Sequence, residues 1–367
     1  MRMLIPLLAL LALAACAPRA SVEVVRAAPD MGRVVPVFVG TTRAEEAPGR
    51  FSRTGRGPMR FARYDVSVPP ERAPGSITLA GRAGADPRVD FVTRAAVPMD
   101  AAAFRADLGR RMQAADTREM ALFIHGFNSV LGDGLFRIAQ MKVDVGLPGI
   151  AAHYAWPSAG NPLGYVRDRD SVLYGRDGLI DLMDEMAAAG AQRIVVIAHS
   201  MGALLLMESL IWAEQRASHP GIDRIAAVAL LSPDIDVEVF RAQARALESL
   251  PEPFFIFASD RDAALRLSAR LTGETDRLGS LTDVARVAEF DVRVIDVSNL
   301  EDAASSHQAA VTSPTMLEIL KDAREVGAAF AEDAGTRLGI VPGTVLSVRY
   351  ATQVIVEPMG ALARAGR

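Results

Sequence analysis

The sequence predicts an α/β fold, a mostly parallel, doubly wound sheet with helices on both faces. Three observations predict it. From about residue 101, short apolar runs alternate with longer amphipathic stretches, the pattern of crossover units that build a parallel sheet covered on both sides. The strand candidates are near-continuous runs of Val, Ile, Leu, Phe and Ala rather than alternating ones, as burial of both strand faces requires. One of them, the Val- and Ile-rich Arg193-Ile-Val-Val-Ile-Ala198, runs directly into His199-Ser200-Met201-Gly202 and a helix. With 367 residues, half of them hydrophobic, the chain is long enough to bury roughly 75% of the surface that its unfolded body exposes.

Taken in order, Val34 to Val39 reads as a first strand. Thr41 to Arg60, rich in Gly, Arg and Pro, reads as a long surface loop. Phe61 to Val68 alternates enough for a second strand, and Pro69-Pro70, Pro74-Gly75 and Gly81 to Pro87 are turn punctuation. Helices are expected at Ala101 to Ala115, Leu131 to Val145, Ser171 to Ala189 and Ala203 to Gln215. Between them lie strands at Met120 to Ile124, Ile150 to Trp156 and Arg193 to Ala198. Strands at Ile225 to Leu231, Phe254 to Ala258 and Val292 to Val297 alternate with helices near 237–247 and 263–271. A last helix follows Pro314 and runs to about Glu332; residues 340–357 are β-like, with no assigned place. The expected division is a leader at 1–15, a tether at 16–32 and the α/β domain at 33–335, in which 41–118 includes N-terminal strands and loops. A C-terminal extension at 336–367 completes it.

Composition excludes several function classes. Forty Lys and Arg stand against 44 Asp and Glu, a net charge of −4, so the basic footprint of a nucleic-acid binder is missing. The single cysteine rules out an internal disulfide and Cys-rich zinc sites. No Gly-rich phosphate loop occurs and the five histidines are scattered; no metal and no cofactor are expected. Arg2 followed by the 13-residue apolar run Met3 to Ala15 suits a signal-peptide core but falls short of the ~20 residues that span a bilayer. The run ends in Leu13-Ala14-Ala15-Cys16, which resembles the bacterial lipobox. The resemblance implies a mature chain that begins at a lipidated Cys16, held on the cell envelope. With no acidic residue at Ala17 or Pro18, it implies sorting to the outer membrane rather than the inner one.

The strand, sharp turn and helix around Ser200 are what a nucleophile elbow requires. Residues two before and two after such a serine must be small: Gly202 meets the demand and Ala198 nearly does. A tetrahedral oxyanion needs two backbone donors. Met201 N–H is one; Phe127 N–H is the other, in the turn His125-Gly126-Phe127-Asn128 that follows a strand. His125 reads as a buttress of that turn. In the chain order serine, acid, histidine, only His219 and His307 follow Ser200. His219 sits at the end of the elbow helix beside Pro220 and reads as a surface turn residue, which leaves His307 as base. Asp260 and Asp262 follow the strand Phe254 to Ala258, and Asp234 and Asp236 follow the preceding one. Both loops lie at the carboxyl edge of the sheet, where open α/β folds bind ligands, and spacing does not choose among the four.

These residues resemble the α/β-hydrolase superfamily, and within it a bacterial esterase/lipase-like family of undefined substrate, from about Val34 to Pro314. The resemblance rests on Thr41-Thr42-Arg43, His125-Gly-Phe-Asn128, Trp156-Pro-Ser158, Asp168-Arg-Asp-Ser171, Ala198-His-Ser-Met-Gly202, Pro233-Asp-Ile-Asp236 and Ser259-x-x-Asp262-x-Ala264-Leu265. It implies the α/β-hydrolase fold and Asp262 as the acid. The stretch Trp156 to Ser171 is expected to border the pocket, with Trp156 and Tyr165 as wall candidates beside His125, Gly126 and His199. Arg167-Asp168-Arg169-Asp170 reads as a solvated, self-paired loop. The 22 residues from Ser232 to Pro253 leave no room for the large lid many lipases of this fold carry, which favours small or soluble acyl esters. The expectation is therefore a membrane-anchored serine hydrolase of carboxylic esters. The alternative is an anchored scaffold or binding lipoprotein that keeps the fold without the chemistry.

Overall fold

Along Glu119–Ile124, the residues Met120, Leu122 and Ile124 enter one apolar cluster while Ala121 and Phe123 enter another. Side chains alternate across a strand, so a run with no polar gap must be covered on both faces. The computed structural model describes residues 19–25, 32–81, 84–215, 219–273, 276–298, 307, 309–313, 344–350 and 353–358. Its strands are β1 (Arg33–Ala47), β2 (Arg50–Val68), β3 (Val92–Met99), β4 (Glu119–Ile124), β5 (Ile150–Ala155), β6 (Arg193–His199), β7 (Ile225–Leu231), β8 (Phe254–Ala258), β9 (Arg293–Asp296), β10 (Thr344–Tyr350) and β11 (Gln353–Pro358). They form one sheet in the order β11-β10-β9-β8-β7-β6-β4-β5-β1-β2-β3. Every neighbouring pair from β10 to β1 is parallel; antiparallel hairpins close both edges.

The helices are α1 (Ala101–Ala114), α2 (Leu131–Asp144), α3 (Tyr165–Ala188), α4 (Met201–Glu214), α5 (Val237–Ala246), α6 (Ala263–Thr272) and the short α7 (Ala309–Thr312). Buried residues of α1, α3, α4 and α5, among them Phe104, Leu179, Leu205 and Phe240, fill one cluster; Leu135, Phe136 and Ile138 of α2 fill the cluster on the opposite face. The fold is thus the mostly parallel, two-faced α/β sheet of α/β hydrolases. Between β4 and β6 the strand order reverses: β4 leads through α2 to β5 on one side, and the chain then crosses to β6 on the other. Loops leaving two such strands diverge at their carboxyl ends and open a crevice. Ile124 and Ala198 pair at those ends, so the β4–α2 loop and the β6–α4 turn meet there.

Two expectations need correction. Thr41 to Arg60 is not a loop, since β1 and β2 run through it as a long hairpin turning at Pro48-Gly49. Its glycines mark close strand contact: a Cβ on Gly57 would lie 2.8 Å from Ala44 Cα. The outer half of the hairpin is bulged and largely solvated, so no apolar periodicity announces it. Strand β3 has no sequence signal either, since Arg94 and Pro98 interrupt its apolar pattern. Arg167 to Asp170 belongs to the first turns of α3, and Asp168 is fully buried rather than solvated.

Residues 344–350 and 353–358, the bulk of the β-like extension, extend the sheet beside β9. Within the expected tether, Val24 bridges Thr93 and Ala20 is buried on the domain. The leader at 1–15, Cys16 and the helix expected from Pro314 to Glu332 lie outside the described residues. Among the described residues, no helix is long and apolar enough to cross a membrane.

Candidate active site

The turn from β6 into α4 holds Ser200 at φ 55, ψ −123, a positive φ that non-glycine residues adopt only where the surroundings enforce it. Two glycines let them do so. A Cβ on Gly202 would stand 2.5 Å from His125 O and 2.7 Å from Ile124 O; one on Gly126 would stand 2.8 Å from Ser200 Cβ. The β4–α2 loop therefore lies directly against the serine turn. Ser200 N–H donates to Leu231 O at 3.0 Å, and Asp234 N–H donates to Ser200 O at 3.2 Å. Among the described residues, the backbone N–H groups of Phe127 and Met201 donate to no protein acceptor.

His307 reaches this turn from beyond β9. Its Nδ1 lies 2.7 Å from Asp262 Oδ2. Its ring packs 4.8 Å, centroid to centroid, from that of His199, whose Nε2 is 3.1 Å from His307 O. Asp262 is buried at the N-terminus of α6, where Oδ1 accepts from Ala264 and Leu265 N–H at 3.0 and 3.1 Å. Burial pushes this carboxyl up, but the His307 contact and the Leu265 N–H outweigh it and hold the group below its ordinary range. Burial and the neighbouring His307 press His199 down to about 3, which keeps its ring neutral. Among the described residues, no hydrogen bond joins Ser200 Oγ to the His307 ring.

The other carboxylates are engaged elsewhere. Asp234 accepts from Ser268 Oγ at 2.6 Å and Tyr165 Oη at 3.0 Å, and pairs with Arg277 at 3.3 Å. Asp236 caps α5 through Val239 N–H, and Asp260 is exposed. His219 closes a turn, its Nδ1 3.2 Å from Asp184.

Of the pocket candidates, His125, Gly126 and His199 line a cleft of about 410 Å³ together with Phe127, Asn128 and Arg137. Trp156 does not border it. The indole is fully buried, stacks 5.0 Å from the His125 ring and donates from Nε1 to His125 O at 2.7 Å. Tyr165 packs edge-on against Phe127 at 5.4 Å, also outside the lining of the cleft. Both ring nitrogens of His125 face carbonyls, of Gly126 and Trp156. Burial, first of all, holds this ring neutral, well below the ordinary range. It is a brace of the loop.

The sequence by itself assigns no task to Arg43 or Ser158. Arg43, almost fully buried, donates to Ser158 O and Ser129 O at 3.0 Å each and to Arg53 O at 2.7 Å. Asp168 accepts from Ser158 Oγ at 2.6 Å and Ala159 N–H at 2.7 Å. Three motifs scattered in sequence thus lock the β4–α2 loop from behind. Arg137 is equally silent in the sequence, because an arginine within an amphipathic helix carries no signal of its own. Among the described residues, no group of three or more His, Cys, Asp or Glu side chains is arranged to hold a metal ion.

Residues 100–324 match the family described as alpha/beta hydrolase of unknown function (DUF900). No curated protein matches the chain in sequence. Among solved structures it is similar to an esterase of Pyrococcus furiosus, at 13% identity over 86% of this chain and 99% of that one, with a TM-score of 0.36. An esterase of the planctomycete Thermogutta terrifontis is 12% identical over 76% of this chain and 89% of its own, with a TM-score of 0.34. A pyrethroid hydrolase from Sphingobium faniae is 14% identical over 59% of this chain and 98% of its own, with a TM-score of 0.30. Likenesses this distant carry no property of those enzymes over to this chain.

Proposed function

The chain belongs to the family of alpha/beta hydrolases of unknown function, and from that premise we propose that it is a serine hydrolase of carboxylic esters working through an acyl-enzyme on Ser200. The observation that carries this reading is the 2.7 Å contact between His307 Nδ1 and Asp262 Oδ2, beside a serine held at positive φ. In this reading the nucleophile elbow presents Ser200 Oγ to the ester carbonyl. His307 Nε2 takes the hydroxyl proton as the tetrahedral adduct forms and returns it to the departing alcohol. Asp262 keeps the Nδ1–H tautomer and steadies the imidazolium. The free N–H groups of Phe127 and Met201 receive the oxyanion, where one donor is worth about 3–4 kcal/mol of transition-state stabilisation. Water, activated by the same histidine, then releases the acid.

The missing Ser200–His307 hydrogen bond favours a second reading, a scaffold without chemistry. Catalytic contacts in unliganded sites are often loose, and the set of serine, histidine and partnered acid favours the enzyme. Labelling with a fluorophosphonate decides between them: the wild-type chain is expected to label at Ser200 and Ser200→Ala to stay unlabelled, whereas an unlabelled wild type refutes the hydrolase. In the same proposal, Cys16 carries the lipid that holds the domain on the bacterial envelope. Intact-mass measurement of membrane-extracted protein tests this, and an unmodified Cys16 refutes it.

A further inference from the structure

One wall of the cleft beside Ser200 carries a cation that has no counter-ion of its own among the described residues. Arg137, in the second turn of α2, is half-buried. Its Nη1 is tied to three neutral acceptors: Gln140 Oε1 at 2.8 Å, Val311 O at 3.0 Å and Gly75 O at 3.2 Å. Nη2 and Nε have no acceptor among the described residues, and they are not among the sealed polar atoms of the fold; solvent reaches them. The carboxylates that influence it electrostatically are already engaged. Asp144 is paired with Arg72, and Asp133 lies 3.7 Å from Arg19 and accepts from Val130 N–H at 2.9 Å. Asp144 also accepts from Gln140 Nε2 at 2.6 Å, which turns the amide oxygen toward Arg137. The chain Arg72–Asp144–Gln140 therefore orients the guanidinium without neutralising it.

A buried charge is normally paired, because desolvation without a partner is costly. Here burial lowers the Arg137 pKa to about 10, and the group is still a full cation at neutral pH. The cleft it lines also holds Gly126, Phe127 and His199 of the reaction centre; the rest of its lining mixes apolar side chains, Ile77, Leu79, Phe136 and Val311, with Asn128, Ser129 and the Arg19–Asp133 pair. Arg137 also lowers the His199 pKa, so its charge is felt beside Ser200.

We propose that Arg137 binds a carboxylate on the substrate, so that the enzyme prefers esters carrying an anionic group a short spacer away from the scissile carbonyl. The open Nη2 and Nε edge matches the two oxygens of a carboxylate. The proposal rests on the esterase reading for its substrate but not for its binding site. The acid belongs either to the acyl half or to the alcohol half, and two substrates separate these. One is the 4-nitrophenyl monoester of adipic acid, set against 4-nitrophenyl hexanoate. The other is the butyryl ester of 4-hydroxybenzoate, set against phenyl butyrate.

The wild-type enzyme is expected to favour one anionic ester over its neutral counterpart in kcat/KM. Arg137→Gln should cut that ratio about 10–100-fold, as loss of a charged hydrogen bond implies, and Arg137→Lys should retain part of it. Taking the ratio within each variant cancels any loss of folded enzyme. Equal kcat/KM for charged and neutral esters in the wild type, or a preference that survives Arg137→Gln, overturns the proposal even if Ser200 labels with fluorophosphonate. If no ester is turned over, the hydrolase reading has failed separately. Calorimetric titration with adipate then decides: binding lost in Arg137→Gln supports the anion site, and no binding to the wild type overturns it.

Discussion

The two oxygens of Asp262 are divided, Oδ1 accepting from the N–H groups of Ala264 and Leu265 and Oδ2 meeting the His307 ring. Capping the helix fixes the carboxylate, and the fixed carboxylate fixes the imidazole. An amide in its place can still cap through its carbonyl but presents an N–H where the ring needs an acceptor. Asp262→Asn is therefore expected to lower kcat by about 10⁴ with little change in the urea midpoint. Asp234→Asn is expected to do the reverse. Its carboxylate is the partner of Arg277, which is 1% exposed, and unpairing a buried cation costs about 3–5 kcal/mol. Steady-state kinetics and urea unfolding of both variants check the contrast; loss of activity in Asp234→Asn without loss of stability would reassign the acid. The sequence left four carboxylates open because both loops end at the same sheet edge. What separates them is their partners, Ser268, Tyr165 and Arg277 for Asp234 against His307 for Asp262, and no spacing encodes such partners.

At the scale of elements, the β4–α2 loop and the β6–α4 turn depend on having no side chain where they touch. A Cβ on Gly202 would meet two carbonyl oxygens of β4 and its loop, whereas one on Gly126 would meet the Ser200 and His199 side chains and His199 O. Backbone yields less than side chains do. Gly202→Ala is thus expected to cost about 1–3 kcal/mol in stability, as overpacking does. Gly126→Ala is expected to cost less stability but to displace Ser200 and depress kcat. Gly81→Ala, with nothing within 4 Å, is the control, and equal urea midpoints for all three variants would contradict the close approach. These glycines were legible because the strand before each is an uninterrupted apolar run, bounded by abrupt polarity. The β1–β2 hairpin was not, because its outer half trades apolar alternation for Arg and Gly on a bulged, solvated edge. The Arg43–Ser158–Asp168 lock was legible only as separate motifs: its three residues stand on a hairpin, a loop and a helix that meet only in the folded chain.

For the molecule as a whole, three histidines are buried in or beside the sheet: His125 (2% exposed), His153 (0%) and His199 (5%). Burial is the leading cause that holds each one neutral, with His153 and His199 lowered to about 3 and His125 also well below its ordinary value. In the unfolded chain each titrates near 6.5. Between pH 6.5 and about 3 the unfolded state therefore binds protons that the native state refuses, and stability must fall as pH falls through that window. At pH 5 the loss is about 2 kcal/mol relative to pH 7 for each of His153 and His199, and His125 acts in the same direction. Those two alone amount to a large fraction of the whole stability of an ordinary domain, about 5–15 kcal/mol. The paired Asp262, depressed below 3.8, contributes stability that is lost only at still lower pH, so it does not mask the effect. Urea unfolding at pH 7, 6 and 5 should give midpoints that fall steadily. His153 offers a way to apportion the slope: its Nδ1 is 3.0 Å from Phe123 O, and Nε2 has no partner among the described residues. His153→Gln, whatever it does to stability at pH 7, should remove the share that His153 carries, about 2 kcal/mol between pH 7 and pH 5. A slope unchanged in that variant, or flat in the wild type, would mean that these rings accept protons in the native state and that the sheet is wetter around them than this packing allows.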